Sequence, residues 1–255
     1  MPGSQPQSDS NPGAKPNSKG HDDLTPSEQV DWATLFKADA LSERNAALVT
    51  VFAATVHSPH MSSAALKAAA ARPESGEAIL EALFQVPLFA GFPRGINALA
   101  SFRKEFGDEV GGETKSAGDD LDQHALRERG EKLFRQIYAG NTERVLSDLD
   151  RFHPDLAPWI LTSAYGGVLT RPELDAAARE LCAIAALIVS GDTRQLSSHL
   201  RGALNCGASK TESQAAAERA RPFVNNEAWL KAQAIVERTL SEYPGSIPDG
   251  RPNAS

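Results

Sequence analysis

The sequence predicts an all-α protein, a helical bundle, and three observations support this prediction. Apolar residues recur at helical spacing over most of the chain after residue 25. Alternating runs of β-branched residues, which are typical of strands, are missing. Helix start signals occur at residues 25–28 (TPSE), where a capping Thr and a Pro precede Glu, and similar signals follow at 170–173 and 209–212.

The two ends of the chain differ in composition from the rest. Residues 1–24 consist mainly of Pro, Ser, Gly, Asn and Lys, so they bury too little apolar surface to offset the entropy of ordering. We therefore expect a disordered tail over 1–24 and a flexible C-terminus over 245–255.

The net charge and the hydropathy of the sequence indicate which partners are unfavourable and which cellular location to expect. The formal net charge of −7 argues against nucleic acid and anionic membranes as partners, because both select for basic surfaces. The sequence has neither a secretory signal pattern at its start nor the run of about 18 to 20 apolar residues that a membrane span needs. A cytoplasmic location is expected.

Cysteine usage excludes two kinds of site. Cys182 and Cys206 are the only two cysteines, and they form no CxxC pair. Neither a disulfide framework nor a thiol-rich metal site is supported. We expect both thiols to be core residues, since a free Cys behaves as a small apolar side chain.

Residues 179–207 are the most informative segment, because they predict two helices folded back on each other. The run 181–189 is almost entirely apolar, a turn follows at 190–192, and amphipathic sequence resumes at residue 193. At about 1.5 Å rise per residue, Glu180 lies roughly 16 Å from the Gly191 turn and His199 roughly 12 Å. The two side chains are therefore expected to meet. An ionisable pair in such an apolar setting suits proton transfer.

The chain also shows an internal repeat. Placing Arg44 on Arg179 brings the segment starting RNAALVTVFAATVHSPHMSS over RELCAIAALIVSGDTRQLSS without a gap. We therefore divide the chain into a first unit at 25–106, a polar, Gly-rich linker at 107–125 and a second unit at 126–244. In this register Glu180 matches Asn45 and His199 matches Ala64, so the first unit lacks the pair and is degenerate.

Several segments carry a family resemblance. GEKLFRQIY, HPDLAPWILTSAYGGVLTRPELD, RELCAIAAL and HLRGALNCGAS in the second half, and FQVPLFAGFPRGINALASFRK in the first, resemble the carboxymuconolactone decarboxylase and alkylhydroperoxidase D superfamily. The resemblance implies two tandem all-α units of this type and ring-like homo-oligomers. A hexamer of single units would correspond to a trimer of these double units.

In the peroxide-reducing branch of that superfamily, two cysteines occupy the positions of Asp192 and Gln195. A Glu and a His corresponding to Glu180 and His199 relay protons to them. Thiolate attack and disulfide formation need sulfur, which neither Asp nor Gln supplies. The dithiol peroxidase mechanism is therefore excluded at these positions.

The H-x-R-x-A-L frame around His199 is closer to the decarboxylase branch, which removes CO₂ from 4-carboxymuconolactone without a cofactor. The resemblance implies that His199 is a catalytic acid oriented by Glu180, with no cofactor and no metal. A small carboxylated or lactone substrate would be bound by a second set of residues, namely Arg179, Arg171, Gln195 and Asp192. The decarboxylase branch usually has Glu where Gln195 stands, which is a departure from the pattern.

Three alternatives remain open from the sequence. The Glu180–His199 pair is also compatible with a purely structural hydrogen bond, and Arg179 with a structural ion pair. The protein as a whole is compatible with peroxide handling without a CxxC, or with a catalytically silent binding or assembly subunit.

His57 and His60 stand where the first unit would carry the peroxidase cysteines, and we interpret them as a surface cluster at a helix end, because Pro59 interrupts the helix.

Overall fold

The computed structural model describes residues 29–72, 76–111 and 122–244. The predicted tail at 1–24, the helix start at 25–28 and the C-terminus at 245–255 lie outside these residues, as does most of the predicted linker. Helices and connecting turns make up the described residues, with no strand among them, so the prediction of an all-α fold is confirmed.

The described residues from Asp31 onward form one compact unit, and Gln29 and Val30 are described before it. Its α-helices are α1 (Trp32–Leu35), α2 (Glu43–His57), α3 (Pro59–Ala69), α4 (Gly76–Gln85), α5 (Pro87–Phe106), α6 (Gln123–Tyr138), α7 (Thr142–Phe152), α8 (Leu156–Trp159), α9 (Ala176–Ser190), α10 (Thr193–Asn205), α11 (Lys210–Arg219) and α12 (Asn226–Glu242). A π-helix, Ile160–Leu169, continues α8, and short 3₁₀ turns occupy Ala139–Asn141 and Arg221–Phe223.

Helices α2 and α9 form the centre of the fold. Each is buried on every side over most of its length, from Ala46 to Val56 in α2 and from Ala178 to Ile188 in α9. A helix with apolar residues on every face is buried by other elements on every face. The two helices pack against each other, α3, α4 and α5 cover α2, and α10 and α11 cover α9. The two predicted units thus share one core.

The second hairpin forms as the sequence predicts. Gly191 adopts a left-handed conformation (φ 80°, ψ 10°) between α9 and α10, a conformation that favours glycine. The helix start predicted at 170–173 is wrong. The Thr170 hydroxyl instead donates to the Gly166 carbonyl at the end of the π-helix, and α9 begins at Ala176 with Asp175 as its cap. The capping box predicted at 209–212 is confirmed.

Helix α6 and the π-helix cross with their backbones in contact. A Cβ atom on Gly130 would lie 1.9 Å from the Leu161 carbonyl oxygen, and one on Gly166 would lie 2.0 Å from the Leu126 carbonyl oxygen. Only glycine fits at either position. This crossing fixes the position of α6 beside the hairpin, where it also contacts α10.

Several large apolar side chains lie on the surface of the unit. Leu88, Phe92 and Ile96 follow one another at four-residue spacing along α5, and Phe92 is 72% exposed. Trp159 is 66% exposed. These residues are therefore not in the core of the single chain. Among the described residues, no helix combines the length and the apolar character needed to cross a membrane.

Candidate functional site

Glu180 and His199 meet, as the hairpin predicts. The Nδ1–H of His199 on α10 donates to Oε2 of Glu180 on α9 at 2.9 Å. The Glu180 side chain is only 3% exposed, whereas 14% of the His199 side chain is accessible. The carboxylate is thus buried behind the imidazole. Because Nδ1 is engaged with Glu180, Nε2 is the ring nitrogen left to exchange a proton with a ligand.

Gly202, three residues after His199, makes room for the carboxylate. A Cβ atom on Gly202 would lie 2.6 Å from Oε2 of Glu180 and 2.8 Å from Cγ2 of Ile137. Residues three apart share a helix face, so Gly202 and His199 contact the same carboxylate from neighbouring positions on α10. Sequence reasoning missed Gly202, although a glycine inside an otherwise regular helix was a visible signal.

The electrostatic balance at the pair favours the protonated imidazole. Burial lowers the pKa of His199, but the charge of Glu180 and its hydrogen bond act in the opposite direction and together outweigh burial. The pKa of His199 is therefore raised above its ordinary value of 6.5. A larger fraction of His199 carries a proton near neutral pH than in an exposed histidine.

Aromatic side chains surround the pair on two sides. Phe89 of α5 meets the His199 ring edge to face, with ring centroids 6.1 Å apart. On the other side, Tyr165 of the π-helix donates through its hydroxyl to the hydroxyl of Tyr138 on α6 at 3.4 Å. Burial is the main reason why the pKa of each tyrosine is raised, and the Glu180 charge adds to it. Both phenols therefore stay protonated at neutral pH.

The cysteines lie in environments that suppress thiolate formation. Cys182 is fully buried in α9, and burial raises the pKa of its thiol to about 12. Cys206 packs at the edge of the apolar cluster around Phe134, where burial and then the Glu180 charge raise the pKa of its thiol to about 12. Neither thiol has the lowered pKa that is typical of a reactive cysteine.

Asp192 and Gln195, two of the predicted substrate-binding residues, lie exposed at the start of α10. Gln195 precedes His199 by four residues and shares its helix face. The Asp192 side chain makes no capping bond to the helix that it precedes. Both positions are open to solvent on the accessible side of the imidazole.

Arg171 and Arg179, the other two predicted substrate-binding residues, converge on Glu81 of α4. Arg171 donates through Nε to both carboxylate oxygens at 2.7 and 3.0 Å, and Arg179 donates through Nη2 at 2.8 Å. The Glu81 side chain is 5% exposed and Arg179 1%. The structural ion pair that the sequence left open for Arg179 is present. Sequence reasoning missed Glu81, whose partners lie 90 and 98 residues away.

The remaining candidates lie apart from the pair. His57 ends α2, Pro59 begins α3, and His57 and His60 are both exposed, as expected for a helix-end cluster. Within 29–72, 76–111 and 122–244, no group of three or more His, Cys, Asp or Glu residues is arranged to hold a metal ion. Arg201 faces away from the pair and forms a surface salt bridge with Glu242 at 3.7 Å.

Parts of this chain are similar to known proteins. Residues 154–238, which include both α9 and α10, match the carboxymuconolactone decarboxylase family. The chain is 36% identical over 137 residues to Peroxisomal protein 2 of Schizosaccharomyces pombe (strain 972 / ATCC 24843). The matched region covers 52% of this chain and 62% of that relative, so the chain spans less than two thirds of the relative's length. The helical region that holds Glu180 and His199 is therefore similar to the carboxymuconolactone decarboxylase family.

Proposed function

We propose that the protein is a cofactor-free acid–base enzyme, a lyase of the carboxymuconolactone decarboxylase type. Its substrate is a small carboxylated or lactone metabolite. The observation that supports this proposal best is the 2.9 Å hydrogen bond between the partly accessible His199 and the buried Glu180. A structural pair would need no accessible imidazole, whereas an acid catalyst must reach its substrate.

His199 supplies the proton in this reaction. The C–C bond to the substrate carboxylate breaks, CO₂ leaves, and the electron pair stays on the substrate as a carbanion or enolate. The proton on Nε2 of His199 then forms the new C–H bond, and solvent returns a proton to the imidazole. No electrons are gained or lost overall, so no oxidant or reductant takes part.

Glu180 holds His199 in the state that this reaction needs. The carboxylate accepts from Nδ1, which fixes the ring so that Nε2 points away from Glu180. Its charge raises the pKa of His199, which keeps the acid form populated near neutral pH. Gly202 leaves space for the carboxylate, and Phe89 packs edge to face against the imidazole.

A turnover assay with 4-carboxymuconolactone and related small lactone acids tests the proposal through CO₂ release. We expect His199→Ala to lower kcat by about 10²- to 10⁴-fold, the usual contribution of a positioned general acid. Glu180→Gln should lower kcat as well, with a shifted pH profile. Arg201→Gln is the matched control, because Arg201 lies on the same helix and faces the surface. Full turnover in His199→Ala would remove the role assigned to His199.

Peroxide handling is the first competing function. It would have to use Cys206, the cysteine on the His199 side of the hairpin, but its raised pKa of about 12 opposes thiolate chemistry. Hydroperoxide reduction with a thiol donor that is abolished by Cys206→Ala and kept in Cys182→Ala would establish this function in place of the lyase.

A catalytically silent binding or assembly subunit is the second competing function. Gln195 supports it, because an amide stands where the decarboxylase branch usually has a carboxylate. Tight binding of a ligand or partner protein without turnover, unchanged in His199→Ala, would favour this function over the enzyme.

We propose further that the two halves are a duplicated unit. Helices α2 and α9, which the sequence repeat places in register, have 15 residues each, and each is followed within three residues by the second helix of a hairpin.

As a location we propose the cytoplasm, with the peroxisome as the alternative that the name of the fission-yeast relative raises. A fluorescent fusion imaged with a peroxisomal marker separates the two.

A further inference from the structure

A cavity lies beside the apolar cluster that contains Phe134, and Leu133 and Leu169 of that cluster line it. It has a volume of about 390 Å³ and lies between α6, the end of the π-helix and the residues that lead into α9. Glu180 and His199 do not line it. Its volume falls in the range of about 300–1,000 Å³ that is typical of small-molecule sites.

Two cations line this cavity without a carboxylate partner. Arg129 and Lys132 are three residues apart on α6 and therefore share a helix face. Neither forms an ion pair within the described part of the chain, whereas Arg171, which also lines the cavity, is bound to Glu81. Asp175 is an acidic residue of the lining, and its carboxylate accepts from the backbone N–H of Ala178. With the Arg171–Glu81 pair set aside, the lining carries the two cations Arg129 and Lys132 against the one carboxylate of Asp175. On a protein of net charge −7, this net positive lining is a local site of attraction for anions.

Part of the cavity lining is apolar. Leu133, Leu169 and Leu174 line it and are each less than 10% exposed over the whole residue. A lining that combines cations with aliphatic side chains suits a molecule with one anionic end and an apolar body. Inorganic anions would leave the aliphatic wall uncovered.

The cavity is held open by rigid elements. Arg129 donates through Nη2 to the Thr170 carbonyl oxygen at 2.9 Å, which ties α6 to the end of the π-helix. The same two helices are in backbone contact at Gly130 and Gly166. π-Helical segments are rare and are frequently found at functional sites. A preformed cavity binds without the cost of ordering its walls.

We propose that this cavity is a binding site for a small organic carboxylate with an apolar body, separate from the Glu180–His199 site. Lys132 binds the carboxylate, Arg129 adds a second positive charge, and the leucines cover the apolar body. The site goes beyond the proposed lyase activity and does not depend on it.

The test is an NMR titration of the ¹⁵N-labelled full chain with hexanoate, with hexanamide as the uncharged probe of equal length. Hexanoate should shift amide signals in 129–136 and 169–176, and hexanamide should bind at least about tenfold more weakly, because charge-assisted hydrogen bonds are the strong ones. Lys132→Gln should weaken hexanoate binding about tenfold, on the same grounds. Lys132 is exposed, so this variant leaves the packing unchanged.

Two further variants decide the outcome. Lys67→Gln removes an exposed lysine on α3 and should leave hexanoate binding unchanged. His199→Ala should also leave it unchanged, because His199 does not line the cavity. Equal affinity in the wild type and Lys132→Gln, loss of binding in His199→Ala, or no shifts at millimolar hexanoate would each overturn the proposal. The lyase assay is independent of all three results.

Discussion

Gly202 of α10 lies directly over the carboxylate of Glu180 in α9, so that a Cβ atom at this position would lie 2.6 Å from Oε2. The buried acid of the candidate site is accommodated because its neighbour on the facing helix has no side chain. A helix interior ordinarily favours Ala over Gly by about 0.5–1 kcal/mol. At position 202, glycine lowers the helix propensity of α10 but leaves the space that the Glu180 carboxylate occupies.

Gly202→Ala should therefore damage the site in spite of its better helix propensity. The added methyl group must displace Glu180 or Ile137, and we expect a loss of about 1–3 kcal/mol in the free energy of unfolding. Turnover should fall with it, because Glu180 no longer positions His199. Urea denaturation and the lyase assay measure the two effects. Gly140→Ala is the control, since a Cβ there meets nothing within 4 Å, and equal stability of both variants would contradict the assignment.

The pH dependence of stability should report the Glu180–His199 pair. The pKa of His199 is raised in the folded chain, so its interaction with Glu180 stabilises the fold fully below the unfolded pKa of about 6.5. This stabilisation is lost as the pH rises through the higher folded pKa. Denaturation of the wild type and His199→Gln between pH 5.5 and 8.5 should show a stability difference that shrinks with rising pH.

Glu180→Gln separates the effect of the carboxylate on the pKa of His199 from the effect of burial. Without the carboxylate, burial is left as the main influence, so the pKa of His199 should fall below that of the wild type. An NMR titration of the His199 ring protons measures it directly. An unchanged pKa would show that Glu180 is not the group that sets the protonation of the imidazole.

Glu81→Gln should be strongly destabilising. The substitution leaves Arg171 and Arg179 buried without their shared carboxylate, and loss of one partner from a buried ion pair costs about 3–5 kcal/mol. Thermal and urea denaturation give the value. Glu77→Gln, one turn earlier on the exposed side of α4, should change stability by less than about 0.5 kcal/mol. Comparable losses in both variants would argue against the buried network.

Self-association through α5 is the fifth expectation. Leu88, Phe92 and Ile96 are exposed apolar side chains on the two segments of α5 that meet at Gly91, where the backbone is not helical (φ 78°, ψ 162°). Exposed apolar patches on soluble proteins commonly mark interfaces. We expect a trimer with three times the 27.2 kDa mass of the chain, and Phe92→Glu should shift it to smaller species. Light scattering coupled to size exclusion measures the mass. Leu230→Glu on α12 is the control, and a stable wild-type monomer would count against the trimer.

Local patterns were sufficient to predict the hairpin and its pair. The apolar run of α9, the Gly191 turn and the helical rise together place Glu180 and His199 at equal depth, and the structure brings them to 2.9 Å. The partners of Arg171 and Arg179 were not predictable in this way, because Glu81 lies on a helix far away in sequence. The start of α9 was misplaced because Thr170 had a competing use, a bond back to Gly166.

The packing of α2 against α9 cannot form until late in the synthesis of the chain. Helix α2 leaves the ribosome before α9, which covers one of its faces, and residues 58–175 are synthesised between the two helices. During that interval α1, α3, α4 and α5 are available to pack against α2, and the face that α9 covers in the folded protein stays uncovered. The nascent protein is therefore a substrate for chaperones until α9 emerges, and the first half on its own would aggregate.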